Sequence, residues 1–253
     1  MKAMVLAAGL GTRLRPLTDA RPKALVEVGG HTLLEITLAR LKSFGIREVI
    51  VNVHHFADMI VAYMKSHGNF RIRIEISRED DLLLDTGGGL KRASWFFLED
   101  SCDEPFILHN VDVISTIDLG RMMRFHVENR ALATLAVQQR KTTRYLLFDE
   151  NLGLCGRQPG TEQNAEMVRG CSRATPLAFS GIQVISPRLL PMITEEGVFS
   201  IIAPYLRLAA LGEKIMAFPA DEYQWRDLGR LDDVRQADQD AGHMLSGAAK
   251  RIL

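Results

Sequence analysis

The sequence predicts an α/β fold with three αβα layers, in which a mixed, mainly parallel, Rossmann-like sheet lies between helices. Two observations support this prediction. In the first half of the chain, short apolar segments rich in β-branched residues alternate with longer segments whose apolar residues recur at helical spacing. Such alternation forms βαβ units, whose parallel sheet is covered on both faces. Polar and glycine residues also follow several predicted strands, and ligands bind at this edge of parallel sheets.

Strands and helices alternate regularly as far as residue 139. The segment 32–45 carries apolar residues at helical spacing and ends at Gly45, a typical helix stop. The segment 70–77 alternates with period two, as a half-exposed strand does. The predicted strands are 2–8, 48–53, 70–77, 105–114 and 131–139, and the predicted helices are 32–45, 56–68, 86–97 and 118–129.

The second half has a different pattern, which indicates a lid-like insertion at roughly 138–223. Residues 144–157 predict a hairpin that turns at Asn151–Gly153, and residues 158–176 are polar and irregular. The remaining predicted strands are 177–185, 215–220 and 224–229, and the remaining predicted helices are 199–212 and 231–245.

Composition and charge argue against several classes of protein. Hydrophobic residues make up 47% and charged residues 25% of the 253 residues, which is ordinary for a globular protein. Lys plus Arg and Asp plus Glu both number 31, so there is no basic excess of the kind that nucleic acids or anionic membranes attract. No apolar run approaches the ~18 residues of a membrane-spanning helix. Three cysteines without a CxxC pair fit a reducing compartment, so we expect a cytoplasmic protein.

The first predicted strand leads into a glycine turn with an unusual charge pattern. Gly9 and Gly11 allow backbone N–H groups to approach a ligand closely. Leu14 stands where the third glycine of a G-x-G-x-x-G fingerprint would be, and the Gly-Lys-Ser/Thr of a P-loop is absent. Arg13 and Lys23 supply positive charge that could offset a triphosphate. The glycines alone are equally compatible with an ordinary basic surface loop.

The complete string from residue 9 to residue 25, G-x-G-T-R-x-R-P-x-T-x-x-x-P-K-x-L, is far more specific. It resembles the nucleotide-phosphate signature of the sugar-1-phosphate nucleotidyltransferases, or NDP-sugar pyrophosphorylases. The resemblance implies a GT-A-like nucleotidyltransferase fold with a small sugar-binding β insertion. It implies that Arg13 and Lys23 are catalytic residues that contact the phosphates. The nucleotide contacts that it implies in this turn are Ala7, Ala8, Gly9, Gly11 and Thr12.

Two aspartates lie near the ends of predicted strands and are candidates for a metal site. Asp112 lies in "HNVDV" and Asp227 in "WRDLG". Without context, Asp112 reads more readily as a turn residue. Members of the family carry an N-G-D or G-D motif and a W-x-D-[VL]-G motif at these places. The resemblance therefore implies that Asp112 and Asp227 bind Mg²⁺, a cation commonly held by one or two carboxylates together with phosphates, and that Asp112 belongs to the catalytic set.

A second glycine-rich element, "LLDTGGGLKRA" at 83–93, stands at a predicted strand-to-helix turn. From the residues alone it is either a ligand-contacting backbone or a helix start capped by Thr86. The family has an E-T-G-G-G element here, and the resemblance implies that Gly87 and Gly88 contact the nucleotide base. This element and the length of the chain most resemble the subgroup of N-acetylmuramate-1-phosphate uridylyltransferases and mannose-1-phosphate guanylyltransferases.

For the sugar phosphate, the resemblance implies contacts from Asn110, Gly181 and Arg157. Gly181 lies in "FSGIQV", which matches a family strand with a glycine near the hexose. Arg157 lies in "CGRQPG", where the usual E-K-P-type lysine is missing, and could substitute for it. Val111 stands where the family usually has glycine, and we expect it to narrow the space near the sugar.

The resemblance implies transfer of a nucleoside monophosphate from an NTP to a sugar 1-phosphate, giving an NDP-sugar and pyrophosphate, with Mg²⁺ as cofactor. We expect one domain over 1–253, with a nucleotide-binding part at 1–137, a sugar-binding part at 138–223, and the metal aspartate and a closing helix at 224–253. UTP or GTP is favoured as the nucleotide, no nucleic acid or membrane partner is expected, and the protein would be a monomer or homodimer.

Two alternative functions stay open on the sequence. Val111 and the unusual segment 155–160 are compatible with a non-catalytic nucleotide-sugar sensor or regulatory subunit on the same fold. A cytidylyltransferase that acts on a phosphorylated amino alcohol is the other alternative.

Overall fold

A computed structural model describes residues 1–99, 103–160 and 164–240. Short 3-10 turns at Thr12–Leu14, Lys23–Leu25, Gly68–Arg71 and Pro187–Met192 connect some of its elements. The strands are β1 (Lys2–Leu6), β2 (Glu27–Val28), β3 (His31–Thr32), β4 (Glu48–Val53), β5 (Arg73–Arg78), β6 (Phe106–Asn110), β7 (Val113–Ser115), β8 (Ala133–Gln138), β9 (Tyr145–Phe148), β10 (Leu154–Gln158), β11 (Glu166–Met167), β12 (Thr175–Ile185), β13 (Ile215–Pro219) and β14 (Trp225–Asp227). The helices are α1 (Leu33–Ser43), α2 (Ala57–Ser66), α3 (Asp85–Arg92), α4 (Trp95–Leu98), α5 (Leu119–Glu128), α6 (Ile202–Ala210) and α7 (Leu231–Gln239).

The chain divides into two compact units. Unit 1 comprises Met1–Leu84, Leu108–Thr116 and the described residues from Trp225 onward, and unit 2 comprises Asp85–Ile107 and Ile117–Gln224. Within the described residues, no helix is both long and apolar enough to cross a bilayer.

Unit 1 is built on parallel strands. Strand β1 pairs with β4 and β4 with β5, both in parallel, and the part of β6 that belongs to this unit lies beside β1. The apolar sequence of β1 and β4 is buried almost throughout, as expected for strands covered on both faces. The parallel strands confirm the predicted α/β class, and their carboxyl ends bring the glycine turn and the residues after β6 to one edge.

Helix α1 shows why the sequence folds as predicted around these strands. Thr32 Oγ1 accepts a hydrogen bond from Glu35 N at 3.1 Å, which caps the first turn of the helix. One side of α1 is then fully buried, with Leu33, Leu34, Leu38 and Leu41 in the core.

Unit 2 is a mixed sheet with helices. Strand β8 pairs antiparallel with β12 and parallel with β13, and β9 and β10 form a hairpin that continues to β12 on one side and β11 on the other. Asp149 Oδ1 accepts hydrogen bonds from Asn151 N at 2.9 Å and Gly153 N at 2.8 Å, which fixes the turn of this hairpin. The hairpin predicted around these residues is thus confirmed.

Two predicted elements are divided in the structure, and a third extends beyond the described residues. The predicted helix 86–97 is two helices, α3 and α4. The predicted strand 105–114 is two strands, β6 and β7, because the chain turns between them at Val111 and Asp112. Helix α7 corresponds to the predicted helix 231–245, of which residues 241–245 lie outside the described residues.

His126 of α5 is buried in unit 2 among hydroxyl groups. Its Nδ1 lies 2.9 Å from Thr134 Oγ1 and its Nε2 lies 2.9 Å from Ser186 Oγ. Because the Ser186 hydroxyl donates to Ala131 O at 2.8 Å, its oxygen accepts a hydrogen bond from the imidazole Nε2–H. In the neutral ring, Nδ1 then accepts a hydrogen bond from the Thr134 hydroxyl. Burial, and after it the charge of Arg188, lowers the pKa of His126 to about 4.

We expect this histidine to make stability depend on pH. The pKa of an unfolded histidine is ~6.5. As pH falls from ~6.5 to ~4, the unfolded chain binds a proton that the folded chain does not, so the free energy of unfolding should fall by up to about 3 kcal/mol. Urea unfolding at intervals across this range, in the wild type and in His126→Gln, measures the contribution. An equal slope in both proteins would contradict it.

Candidate active site

The turn after β1 has a defined shape that depends on Gly11. Its φ is +67°, and a Cβ at this position would lie 2.9 Å from Thr18 Cγ2 and 3.2 Å from Lys23 Cβ. Thr18 Oγ1 and Leu14 N both donate to Gly11 O, each at 2.8 Å, and the second bond closes the 3-10 turn Thr12–Leu14. Glycine at this position is therefore required by the packing of the turn itself.

The other residues of the turn divide into buried and exposed ones. Ala7 and Ala8 are buried, and Ala7 N donates to Asn52 O at 3.0 Å. Gly9 is exposed, and a Cβ built on it would have no atom within 4 Å. Thr12 is exposed as well. Unlike Gly11, Gly9 leaves open space beside the backbone, as a ligand-contacting glycine would.

Lys23, the second cation predicted to contact phosphates, has a largely buried side chain. It follows Pro22 and begins the turn Lys23–Leu25, with only 10% of its side chain exposed. Its Nζ forms an ion pair with Asp112 Oδ2. A lysine is rarely buried without a partner, so this pair fixes the positions of both side chains.

Asp112 and Asp227 are brought together by a short antiparallel pair of strands. Strand β14 pairs with β7, with Asp227 opposite Val113, and Leu228 N donates to Asp112 O at 2.8 Å. The pairing joins parts of the chain that are far apart in sequence. It places the two carboxylates predicted for metal binding on adjacent segments of unit 1.

The pKa of Asp227 agrees with the proximity of the two carboxylates. Asp227 keeps part of its surface in water, yet the protein around its carboxyl group raises its pKa by desolvation, and the negative charge of Asp112 adds to the increase. The charges of Lys23 and Arg13 and the backbone N–H of Gly229 act in the opposite direction. The carboxyl group therefore lies close to one like charge and two opposite charges.

The guanidinium of Arg13 also lies near Asp227, beside Gly229, which was not among the predicted site residues. A Cβ at Gly229 would lie 2.7 Å from Arg13 Nη2 and 2.8 Å from Asp227 Oδ1. The guanidinium and the carboxylate thus converge over Gly229, where a larger residue would push them apart. The signal was in the sequence, since this glycine ends the "WRDLG" motif.

The donor set fits a divalent cation that also binds phosphate. No group of three or more His, Cys, Asp or Glu side chains arranged for a metal is found in the described part of the chain. Mg²⁺ is commonly held by one or two carboxylates together with phosphate oxygens of the substrate, and Asp112 and Asp227 supply two such carboxylates. Desolvation, and after it the negative charge of Asp112, raises the pKa of Asp227, and a bound cation would offset both effects.

The residues before Asp112 are tied to the core. His109 is fully buried, and its Nδ1 donates to Asn110 O at 2.8 Å. Burial, and after it the charge of Arg40, lowers the pKa of His109 to about 4, so the ring is neutral. Val111 is 4% exposed and its N donates to Leu6 O at 3.1 Å. Because so little of the Val111 side chain is exposed, it can contribute little to narrowing a binding space.

In unit 2, Gly87 and Gly88 pack against Phe199. Both of their N–H groups donate to Phe199 O, at 2.9 and 3.3 Å, and a Cβ at Gly87 would lie 2.5 Å from the phenyl ring. Thr86 Oγ1 accepts a hydrogen bond from Ile201 N at 3.0 Å. These glycines therefore have a packing role of their own, and their N–H groups are already engaged.

The two predicted sugar-phosphate residues of unit 2 also have identifiable local roles. Gly181 has a φ of +73° and lies where the pairing of β12 with β8 changes register between Phe179 and Gln183. Such a bulge uses a backbone conformation that glycine adopts readily. Arg157 Nε lies 2.7 Å from Glu166 Oε2, an exposed pair between β10 and β11.

Comparison with known proteins gives a consistent result. The profile of the nucleotidyl transferase family matches residues 2–148. An N-acetylmuramate alpha-1-phosphate uridylyltransferase from Caulobacter vibrioides is 33% identical over 233 residues, which cover 90% of this chain and 91% of that protein. A UTP–glucose-1-phosphate uridylyltransferase from Synechocystis sp. is 28% identical over an alignment that covers 94% of this chain and 62% of that protein.

A solved structure shares the fold. The crystal structure of HddC from Yersinia pseudotuberculosis, complexed with GMP-PN, superposes with a TM-score of 0.74 over 95% of this chain and 99% of that one. The two sequences are 18% identical, so the likeness concerns the fold alone.

Proposed function

The chain belongs to the nucleotidyl transferase family, and from this premise we propose that it transfers a nucleoside monophosphate from an NTP to a sugar 1-phosphate, giving an NDP-sugar and pyrophosphate. One observation carries the proposal from the site. Two cations of the turn after β1, Arg13 and Lys23, converge with the carboxylates of Asp112 and Asp227. Such a mixed cluster suits phosphates on one side and a divalent cation on the other.

The reaction asks for positioning and charge stabilisation more than for proton transfer. A phosphate oxygen of the sugar 1-phosphate attacks the α-phosphorus of the NTP, and the bond to pyrophosphate breaks. The attacking oxygen is already ionised, so no general base is needed. Arg13 and Lys23 would offset the charge of the nucleotide phosphates, Arg by paired hydrogen bonds and Lys as a point charge.

Asp112 and Asp227 are the residues that would hold Mg²⁺, which when bound supplies further neutralisation of phosphate charge. The ion pair between Lys23 and Asp112 keeps both groups oriented within unit 1. The remaining assignments belong to the same proposal. They are nucleotide contacts from Ala7, Ala8, Gly9, Gly11, Thr12, Gly87 and Gly88, and sugar-phosphate contacts from Asn110, Gly181 and Arg157.

UTP is the first candidate nucleotide and GTP the second, because the Caulobacter and Synechocystis relatives are both named as uridylyltransferases. A cytoplasmic location is part of the proposal, since three cysteines without a CxxC pair fit a reducing compartment.

A matrix of substrates tests the function directly. Purified protein with Mg²⁺ is combined with each NTP and each of a panel of sugar 1-phosphates, with phosphocholine as an additional acceptor, and pyrophosphate is measured. We expect release with UTP or GTP and a sugar 1-phosphate. Release with CTP and phosphocholine alone would favour the amino-alcohol alternative, and no release with any pair would contradict catalysis and favour a sensor.

Gly9→Ala tests where the nucleotide binds. The new methyl group meets no protein atom within 4 Å, so the melting temperature should not change. If phosphates lie against Gly9, KM for the NTP should rise by about tenfold, which corresponds to ~1.4 kcal/mol. Gly170→Ala is the matched control, since its Cβ would also have no neighbour within 4 Å. An unchanged KM in Gly9→Ala would show that the nucleotide does not contact this residue.

A further inference from the structure

Two cysteine thiols lie side by side in unit 2. Cys155 is buried in β10, and Cys171 is half-buried in the segment after β11. Their Sγ atoms are 3.3 Å apart, with the thiol of Cys171 donating to the sulfur of Cys155. The thiol of Cys155 in turn donates to Leu147 O at 3.3 Å. A disulfide bond is ~2.05 Å long, so bonding requires an approach of little more than about 1 Å.

The backbone on both sides of the pair is fixed by independent contacts. Val168 N donates to Cys155 O at 2.9 Å, and Gly156 pairs with Met167 between β10 and β11. Arg169 Nε donates to Leu154 O at 2.7 Å, and the same guanidinium forms an ion pair with Asp149. The two cysteines are therefore held near each other by the fold and do not meet by chance encounter.

We propose that Cys155 and Cys171 form a reversible intramolecular disulfide when the protein meets a low-molecular-weight disulfide. In the first step the Cys171 thiolate attacks one sulfur of the oxidant, and one thiol leaves. In the second step the Cys155 thiolate attacks the Cys171 sulfur, the protein disulfide forms, and the second thiol leaves. The two protein thiols lose two electrons and two protons, which the oxidant takes up as it becomes two thiols.

Exposure and charge set the order of these steps. Cys171 is the thiol that an oxidant can reach, because Cys155 is buried. Burial, followed by the hydrogen bond and charge of Cys171, raises the pKa of Cys155 to about 12, which makes it a poor first nucleophile. Once Cys171 is in a mixed disulfide it carries no charge, and the nearby Arg169 favours the Cys155 thiolate. In a reducing compartment the bond would be transient and would report oxidative conditions.

The test uses the full chain, reduced and then exposed to graded ratios of oxidised to reduced glutathione. Remaining thiols are blocked with N-ethylmaleimide, and intact mass and tryptic peptides are measured. We expect two thiols to disappear together, a cross-linked peptide that contains positions 155 and 171, and full reversal by dithiothreitol. The melting temperature should rise by about 5 °C or more, because the bond restricts the unfolded chain.

Cysteine variants distinguish the proposed Cys155–Cys171 disulfide from other oxidation products. Cys102→Ser, which removes the remaining cysteine of the sequence, should leave the reaction unchanged. Cys155→Ala, which suits a buried position, should trap a stable glutathione adduct at Cys171, whereas Cys171→Ser should block reaction at Cys155 in the folded protein. A persistent adduct on Cys171 in the wild type, a bond that involves Cys102, or no oxidation before denaturation would each overturn the proposal.

Discussion

Replacement of Asp112 by asparagine should lower kcat/KM by about 10²–10³-fold, a loss comparable to that caused by removing one preorganised hydrogen-bond donor from an active site. The substitution keeps the shape of the side chain but removes a charge that faces both Lys23 and Asp227. Lys23 then lacks its partner, and one of the two carboxylates proposed for Mg²⁺ is lost. The backbone contact from Leu228 N to Asp112 O does not depend on the side chain, so the fold should persist.

Asp58→Asn is the matched control for this change. Asp58 is an exposed carboxylate that pairs with Arg78 at 2.5 Å, and exposed pairs contribute little to stability. Both variants undergo the same chemical change, but only Asp112→Asn should lose turnover in steady-state assays of pyrophosphate release. Near-wild-type turnover in folded Asp112→Asn would remove this aspartate from the catalytic set. A second readout is the pKa of Asp227, which should fall when the neighbouring charge is removed.

The second large effect is expected for Lys23→Met. Methionine has a similar length and suits a side chain that is only 10% exposed, so the substitution removes the ammonium charge with little change in packing. We expect kcat/KM to fall by about 10²-fold or more, since a charge-assisted contact to phosphate is lost together with the partner of Asp112. Lys65→Met on the exposed surface of α2 provides the control.

Activity and stability together decide how Lys23 acts. Loss of turnover with an unchanged melting temperature supports a role at the phosphates. A large drop in melting temperature with normal turnover in the remaining folded protein would mean that the ion pair with Asp112 is structural.

Local pattern predicted much of the fold. Strand β4 has the predicted bounds, and α1 and α5 differ from their predictions by few residues, because periodicity, a capping threonine or aspartate and a terminal glycine act within one element. The break between β6 and β7 was missed since Val111, Val113 and Ile114 are all β-branched and read as one strand. Asp112, which on its own reads as a turn residue, was the one local indication of the break.

The site was harder to predict because its contacts join distant segments. The approach of Asp112 to Asp227 depends on the pairing of β7 with β14, which no sequence spacing specifies, and only the family resemblance suggested it. The role of Gly229 beside Arg13 requires three-dimensional distances. Likewise, the N–H groups of Gly87 and Gly88 are engaged by Phe199, a residue that lies far from them along the chain.

The pairing of β14 with β7 also determines when a newly synthesised chain can become active. A ribosome that has released the protein as far as Gln224 has already delivered Arg13, Lys23 and Asp112, but Asp227 has not yet emerged. Contacts between distant segments form late because the intervening chain must first be ordered. The cation-and-carboxylate cluster is therefore completed only after β14 has been made, so nascent chains that stop before β14 should be inactive even where their parallel strands have folded.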